Sequence, residues 1–291
     1  MIVGKVGYLG PKATFTHVAV QGVFKQHDDH IPYKTIPACI DAVDNGEIEY
    51  GIVPLENALE GSVNLTLDYL IHERRLPIVG EIVLPIRQHL MVHPSRAEQW
   101  KNIETIYSHP HAIAQCHKFL HGECTSTAVE EMTSTAFAAK YVSEHPEVNI
   151  GAIANGLAAH EYGLHIACPN IHDYDHNTTR FVILHKDGAQ EVPFLAGNGC
   201  KTTLMITLPS DQAGALHQVL SAFSWRKLNL SKIESRPMKT GLGNYFFIVD
   251  IEQKMDEVLI PGAMAELEAL GCSVELLGSY PHTLLETEIP L

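Results

Sequence analysis

The sequence lacks closely spaced cysteines, long apolar runs and an excess of positive charge. Its six cysteines, Cys39, Cys116, Cys124, Cys168, Cys200 and Cys272, stand far apart without a C-x-x-C pair. That excludes a zinc knuckle or a disulfide framework and reads as reduced thiols. No segment approaches the roughly 18 uninterrupted apolar residues of a membrane span, and MIVGKVGYLGPKATF carries no long apolar core after its early lysine. The expected setting is cytoplasmic. Lys and Arg number 20 against 34 Asp and Glu, a net charge of −14, which argues against nucleic-acid or anionic-membrane partners. The G-x-G-x-x-G and G-x-S-x-G spacings are missing, so neither a nucleotide fingerprint nor a serine-hydrolase elbow is expected. Histidine is plentiful at 18 residues. None stands in H-E-x-x-H or another ligand spacing, so no metal and no cofactor are expected.

What is present is a foldable chain of 291 residues, 45% apolar and 19% charged, long enough for two or three compact units. The first two-thirds alternates β-branched runs with amphipathic stretches: Lys5 to Leu9, Ala13 to Phe24, Ile31 to Thr35, Ile36 to Asn45 and Tyr50 to Pro54. The rhythm resumes with strand Ile78 to Leu84, strand Thr105 to Ser108, helices from about His111 to Phe119 and Ser134 to Val142, and strands Ile150 to Ile153 and Thr179 to Leu184. This is the pattern of an α/β sheet with parallel crossovers. KDGAQEVPFLAGNGC, from Asp187, interrupts it with linker chemistry. Then come strand Lys201 to Leu208, helix Gly214 to Trp225, strands Leu230 to Met238 and Asn244 to Glu252, helix Met255 to Leu270 and strand Ser273 to Tyr280. The order βαββαβ is the ferredoxin-like unit, with Thr240 to Asn244 as its hairpin turn. The expected division is 1–186, a linker at 187–200, a second domain at 201–282 and a tail at 283–291.

Polar residues gather where strands end. Gly10-Pro11-Lys12-Ala13-Thr14 closes a strand and opens a helix, so it either presents N–H groups to an anion or is an ordinary Gly-Pro turn. Glu56 and Asn57 follow a strand at the carboxyl end, where open α/β sheets bind ligands, although Glu56 could equally cap a neighbouring helix. Ser62 reads as an N-cap ahead of the stripe Val63, Leu67, Leu70 and Ile71. Ser108 and His109 stand at another strand end, better suited to polar donors around a ligand than to acyl transfer, because adjacent residues rarely form a nucleophile and base pair. Asn155 ends an apolar strand with an amide that both donates and accepts. Arg180 offers a planar fork that fits a carboxylate, or forms one structural salt bridge. Together these residues describe a site for a small polyanion.

The motifs GYLGPKATFT, VPLEN with GSV, SHPHAIAQC, STAFAA, AIAN and NTTRF occur in the order found in prephenate dehydratases, and the chain resembles that family from about Val3 to Leu184. The second region resembles its ACT domains through Gly214-Ala215-Leu216 and Glu234-Ser235-Arg236-Pro237. Departures from the family pattern are Ala58, His111 and Ala213. The resemblance implies a bilobed catalytic domain, like the periplasmic binding proteins, with its site between the lobes and the Thr179 strand in the first. It implies prephenate as substrate, Thr179 at the departing hydroxyl, and Ser108, Gln115 and Asn155 completing the network. Arg180, Glu56, Asn57, Gly10 and Thr14 would hold substrate, with Phe181 an apolar wall. It further implies phenylalanine as an effector at the two ACT motifs, a dimer or dimer of dimers, and a form without a chorismate mutase segment. Arogenate dehydratase and a non-catalytic amino-acid-binding protein are the alternatives.

Overall fold

Apolar spacing and polar caps place the helices. The computed structural model describes residues 4–25, 29–188, 192, 195, 199–210, 213–238 and 245–285. The chain begins β1 (Val6–Leu9), α1 (Phe15–Val23), β2 (His30–Tyr33), α2 (Ile36–Asp44) and β3 (Tyr50–Asn57). Thr14 and Thr35 cap α1 and α2 by accepting from the His17 and Ala38 N–H groups, which satisfies donors that a helix start leaves free. Ile36, Cys39, Ile40 and Val43 form the buried face of α2, the i, i+3, i+4, i+7 pattern of a helix packed on a sheet. β1 pairs in parallel with both β2 and β3.

A two-residue strand, β4 (Gly61–Ser62), then pairs with the end of β3 before α3 (Asn64–His72) and β5 (Ile78–Pro85). Ser62 is therefore not the N-cap. That position belongs to Val63, which makes no side-chain cap bond, because Ser62 is drawn into the ladder opposite Glu56.

A second sheet follows in the same unit. It holds β6 (His89–Val92), a 3-10 helix at Pro94–Asn102, β7 (Thr105–Ser108), α4 (Pro110–Ala114), α5 (His117–Glu123), β8 (Ala128–Glu131), α6 (Thr135–Glu144), β9 (Ile150–Ala154), α7 (Gly156–Glu161) and β10 (His165–Cys168). The strand order is β10-β6-β9-β7-β8, with β7 parallel to β8 and β9. The single helix expected from His111 to Phe119 is two, broken at Gln115 and Cys116. β11 (Thr178–Leu184) returns to the first sheet beside β3.

The remainder is β12 (Gly199–Thr207), α8 (Ala215–Ser224), β13 (Leu230–Pro237), β14 (Tyr245–Ile251), α9 (Leu259–Ala269) and β15 (Ser273–Leu284). The order β13-β14-β12-β15, with β14 antiparallel to β12 and β13 and β15 antiparallel to β12, is that of a ferredoxin-like sheet. Leu204, Ile206, Val219, Phe223, Val249, Ile260 and Leu267 form its core. α9 starts later than the expected Met255 because the Asp256 carboxylate accepts from Val258 and Leu259 and holds that stretch as a turn.

Two compact units result. The first holds the chain up to Arg75, Ile82–Val182 and the chain from Leu284, and the second holds Leu76–Glu81 and Ile183–Thr283. Much of the expected linker, the hairpin turn Thr240 to Asn244 and most of the expected tail lie outside the described residues.

Candidate active site

Polar side chains of the first unit collect at carboxyl ends of strands. β1 runs into Gly10–Thr14, β3 ends on Glu56 and Asn57, β7 ends on Ser108, and β9 runs into Asn155. Such ends are where open α/β sheets bind ligands, although Glu56, Asn57 and Ser108 still pair in the ladder opposite Ser62, Gly61 and Glu131. The start of β11 lies beside the end of β3, since the Ala58 N–H donates to the Thr178 carbonyl at 2.9 Å.

Thr179, only 8% exposed, has its hydroxyl oxygen 2.9 Å from Asn57 Nδ2. An amide nitrogen can only donate, so Thr179 accepts there and keeps its own proton for another partner. Asn57 Oδ1 meanwhile accepts from the Leu59 and Glu60 N–H groups at 2.9 and 3.1 Å. Those two backbone donors fix which way the amide faces. Arg180 donates to Glu56 Oε2 at 2.7 Å with both side chains largely buried, so a carboxylate gripped by Arg180 would share it with Glu56. Phe181 is buried at 2% exposure.

The other expected residues are engaged locally. Ser108 is fully buried and donates to the Ile153 carbonyl at 2.7 Å. Gln115 accepts from Asp173 N through its backbone carbonyl at 2.7 Å, and its buried side-chain Oε1 has no partner among the described residues. The Gly10 N–H donates to Tyr33 at 2.8 Å. The Thr14 hydroxyl donates to the Leu9 and Pro11 carbonyls at 3.2 and 3.1 Å. No hydrogen bond joins Thr179 to Ser108, Gln115 or Asn155.

Asn155 joins the two sheets. Its Nδ2 donates to the Ala13 carbonyl at 2.9 Å, while its Oδ1 caps α7 at Ala158 N, also at 2.9 Å. Ala13 has φ +63°, the left-handed region that costs a residue with a Cβ. Its N–H donates to His17 Nδ1 at 3.0 Å, so both of its polar groups are paired in that conformation. Burial pushes the His17 imidazole down to about 4, with His30 and Lys12 acting in the same direction. The ring is neutral and can accept from Ala13. A longer contact of 3.9 Å pairs His111 with Glu60 across the same two sheets. His17, Ala13 and Asn177 were not among the residues expected at the site, although Ala13 and Asn177 lie inside the quoted motifs and His17 directly follows the first of them.

A family model described as prephenate dehydratase matches residues 6–189. A prephenate dehydratase of Bacillus subtilis is 64% identical over 95% of this chain and 98% of its own. The chain belongs to the prephenate dehydratase family. A prephenate dehydratase of Arthrobacter aurescens, solved in complex with L-Phe, superposes with a TM-score of 0.83 at 33% identity, covering 95% of this chain and 90% of that one. GqqA, described as a novel type of quorum quenching acylase, superposes with a TM-score of 0.82 at 27% identity, covering 96% of this chain and 98% of its own. In the present chain Ser108 donates to a carbonyl instead of an imidazole, which is not the setting of an activated nucleophile.

An ACT-domain model matches residues 202–271, within the second unit. Gly214 caps α8 at φ +87°, Ala215 is buried and Leu216 is 41% exposed. Glu234 pairs with Lys232 at 3.1 Å and Arg236 at 3.0 Å, and Ser235 and Pro237 are exposed on β13. Among the described residues no group of acidic, histidine and cysteine side chains could hold a metal ion.

Proposed function

We propose that this lyase converts prephenate to phenylpyruvate, with phenylalanine bound by the ACT domain restraining it. The observation that carries the reading is the Thr179 hydroxyl, whose oxygen accepts from a rigidly oriented Asn57 and whose proton is left to donate. Prephenate bears two carboxylates and a ring hydroxyl. Breaking the bond to the ring carboxylate releases carbon dioxide and leaves its electron pair in the ring. Breaking the C–O bond completes the aromatic system. The hydroxyl leaves as water, so one proton is taken up per turnover. A directed donor at that oxygen stabilises charge that grows only as the bond breaks, which is where binding energy raises kcat. An alcohol is a weak acid, so Thr179 holds or relays the proton from solvent. Arg180, charge-paired with Glu56, supports a substrate carboxylate, and Phe181, two positions along the strand from Thr179 and so on the same face, is a buried apolar wall.

The Arthrobacter relative was solved with L-Phe, which supports phenylalanine as the effector here, bound at Gly214-Ala215-Leu216 and Glu234-Ser235-Arg236-Pro237 of paired subunits in a cytoplasmic dimer or dimer of dimers. Among the described residues no helix is long and apolar enough to cross a membrane. The test is phenylpyruvate formation from prephenate by the purified chain, with arogenate as the competing substrate and phenylalanine added. Turnover of prephenate, suppressed by phenylalanine, is expected. Preference for arogenate, or consumption of neither, would overturn the reading.

A further inference from the structure

Asn57 Nδ2 meets three acceptors: Thr179 Oγ1 at 2.9 Å, Asn177 Oδ1 at 3.0 Å and the Thr178 carbonyl at 3.3 Å. An amide nitrogen has two hydrogens, so the two shortest contacts take one each and the carbonyl is a secondary partner. The carboxamide is planar, so its oxygen and nitrogen turn together about the last torsion, and the two backbone N–H groups at one end and the Asn177 oxygen at the other hold that plane jointly. Asn177 is itself anchored: its N–H donates to Tyr174 O at 3.3 Å, its carbonyl accepts from Ile86 N at 2.8 Å, and it is 2% exposed.

The orientation of Asn177 follows from that of Asn57. A nitrogen facing Asn57 Nδ2 would set two donors against each other, so the oxygen faces it. The Asn177 nitrogen is then left buried without a partner among the described residues. A buried orphan donor lowers stability. An ordinary packing position would be better served by an apolar residue, so what distinguishes asparagine here is its oxygen.

We propose that Asn177 is a positioning residue for Thr179, acting through Asn57. Its oxygen fixes one Asn57 N–H and thereby directs the other onto the Thr179 hydroxyl oxygen, which leaves the Thr179 proton as the group presented to substrate. This rests on the proposed dehydration of prephenate.

The experiment compares Asn177→Ser and Asn177→Leu, which remove the oxygen from its place, with Asn177→Asp, which keeps one there. Folding of each is checked by thermal unfolding, and the serine variant serves if leucine fails to fold. In the serine and leucine variants kcat for prephenate falls about 10-fold or more while KM moves less than about 3-fold, the loss expected of a misdirected donor. Asn177→Asp recovers kcat to within about 5-fold, with charge repulsion showing in KM. In a Thr179→Ala background Asn177→Ser has no further effect on kcat, because coupled residues are not additive. A folded serine or leucine variant with unchanged kcat, an aspartate variant no better than leucine, or full additivity with Thr179→Ala would overturn the positioning role. A wild-type chain that does not consume prephenate would instead overturn the reading beneath it.

Discussion

In the first unit Thr179, Asn57, Asn177 and Asn155 are held by hydrogen bonds among amides, hydroxyls and carbonyls, with the ion pair of Arg180 and Glu56 beside them, whereas the second unit carries a charge pair onto a fully buried carboxylate. There Lys201 meets the fully buried Glu81 at 2.6 Å, and Lys232 and Arg236 share Glu234. Hydroxyls tie its central strands together, with Thr203 reaching both Asp250 at 2.7 Å and Tyr280 at 2.6 Å. The difference teaches what each unit must keep constant. The amides and the hydroxyl around Thr179 hold their donor directions without titrating near neutral pH. A buried ion pair fixes a local arrangement strongly but leaves an uncompensated charge when one partner is lost.

The comparison breaks most visibly at Lys201. Lys201→Met leaves Glu81 buried without its ammonium partner, and a loss of about 3–5 kcal/mol is expected in urea unfolding. An unchanged midpoint would show that Glu81 reaches water in solution.

His17 sharpens the contrast, since it is a buried base of the first unit. Its ordinary value of 6.5 is lowered to about 4 in the fold. Above 6.5 neither folded nor unfolded chain binds the proton and the group is silent. Between 6.5 and 4 the unfolded chain binds it first, so stability falls as pH drops through that window, by up to about 3 kcal/mol. His17→Asn, which keeps an oxygen near the Nδ1 position, should give a flatter dependence from pH 7 to 4. An equal slope in both proteins would assign the acid sensitivity elsewhere.

A smaller effect is expected at the link between the two sheets. Asn155→Ala removes the α7 cap and the bond to Ala13 together, and about 1–2 kcal/mol of stability should go with them, alongside a raised KM for prephenate. KM unchanged in a destabilised variant would make the link purely structural. The smallest effect is expected from chelation: turnover should survive prolonged EDTA treatment, and activity lost to EDTA and restored by one added metal would contradict a reaction carried by side chains alone.

The strand and helix order of the first sheet was legible because its strands are apolar runs and its helices announce themselves by Thr14 and Thr35 caps. The second sheet was read incompletely. β8 is exposed at all four residues and α7 is six residues long, so neither leaves a periodic signal. The site residues were legible as polar groups at strand ends, but their pairing was not. Asn57 and Asn177 are separated by 120 positions, and only the return of β11 beside β3 brings them together. The role of Ala13 depends on a left-handed backbone, which the residue type does not disclose.

The central claim is that a neutral hydroxyl, oriented by Asn57, serves the departing water. Its most direct test is single-turnover phenylpyruvate formation from prephenate by Thr179→Ala and Thr179→Ser, both checked for an unchanged fold. The account predicts a loss of about 10²-fold or more in the single-turnover rate for alanine, with serine retaining most of the rate because it keeps the hydroxyl. A folded alanine variant with near-normal turnover would contradict it.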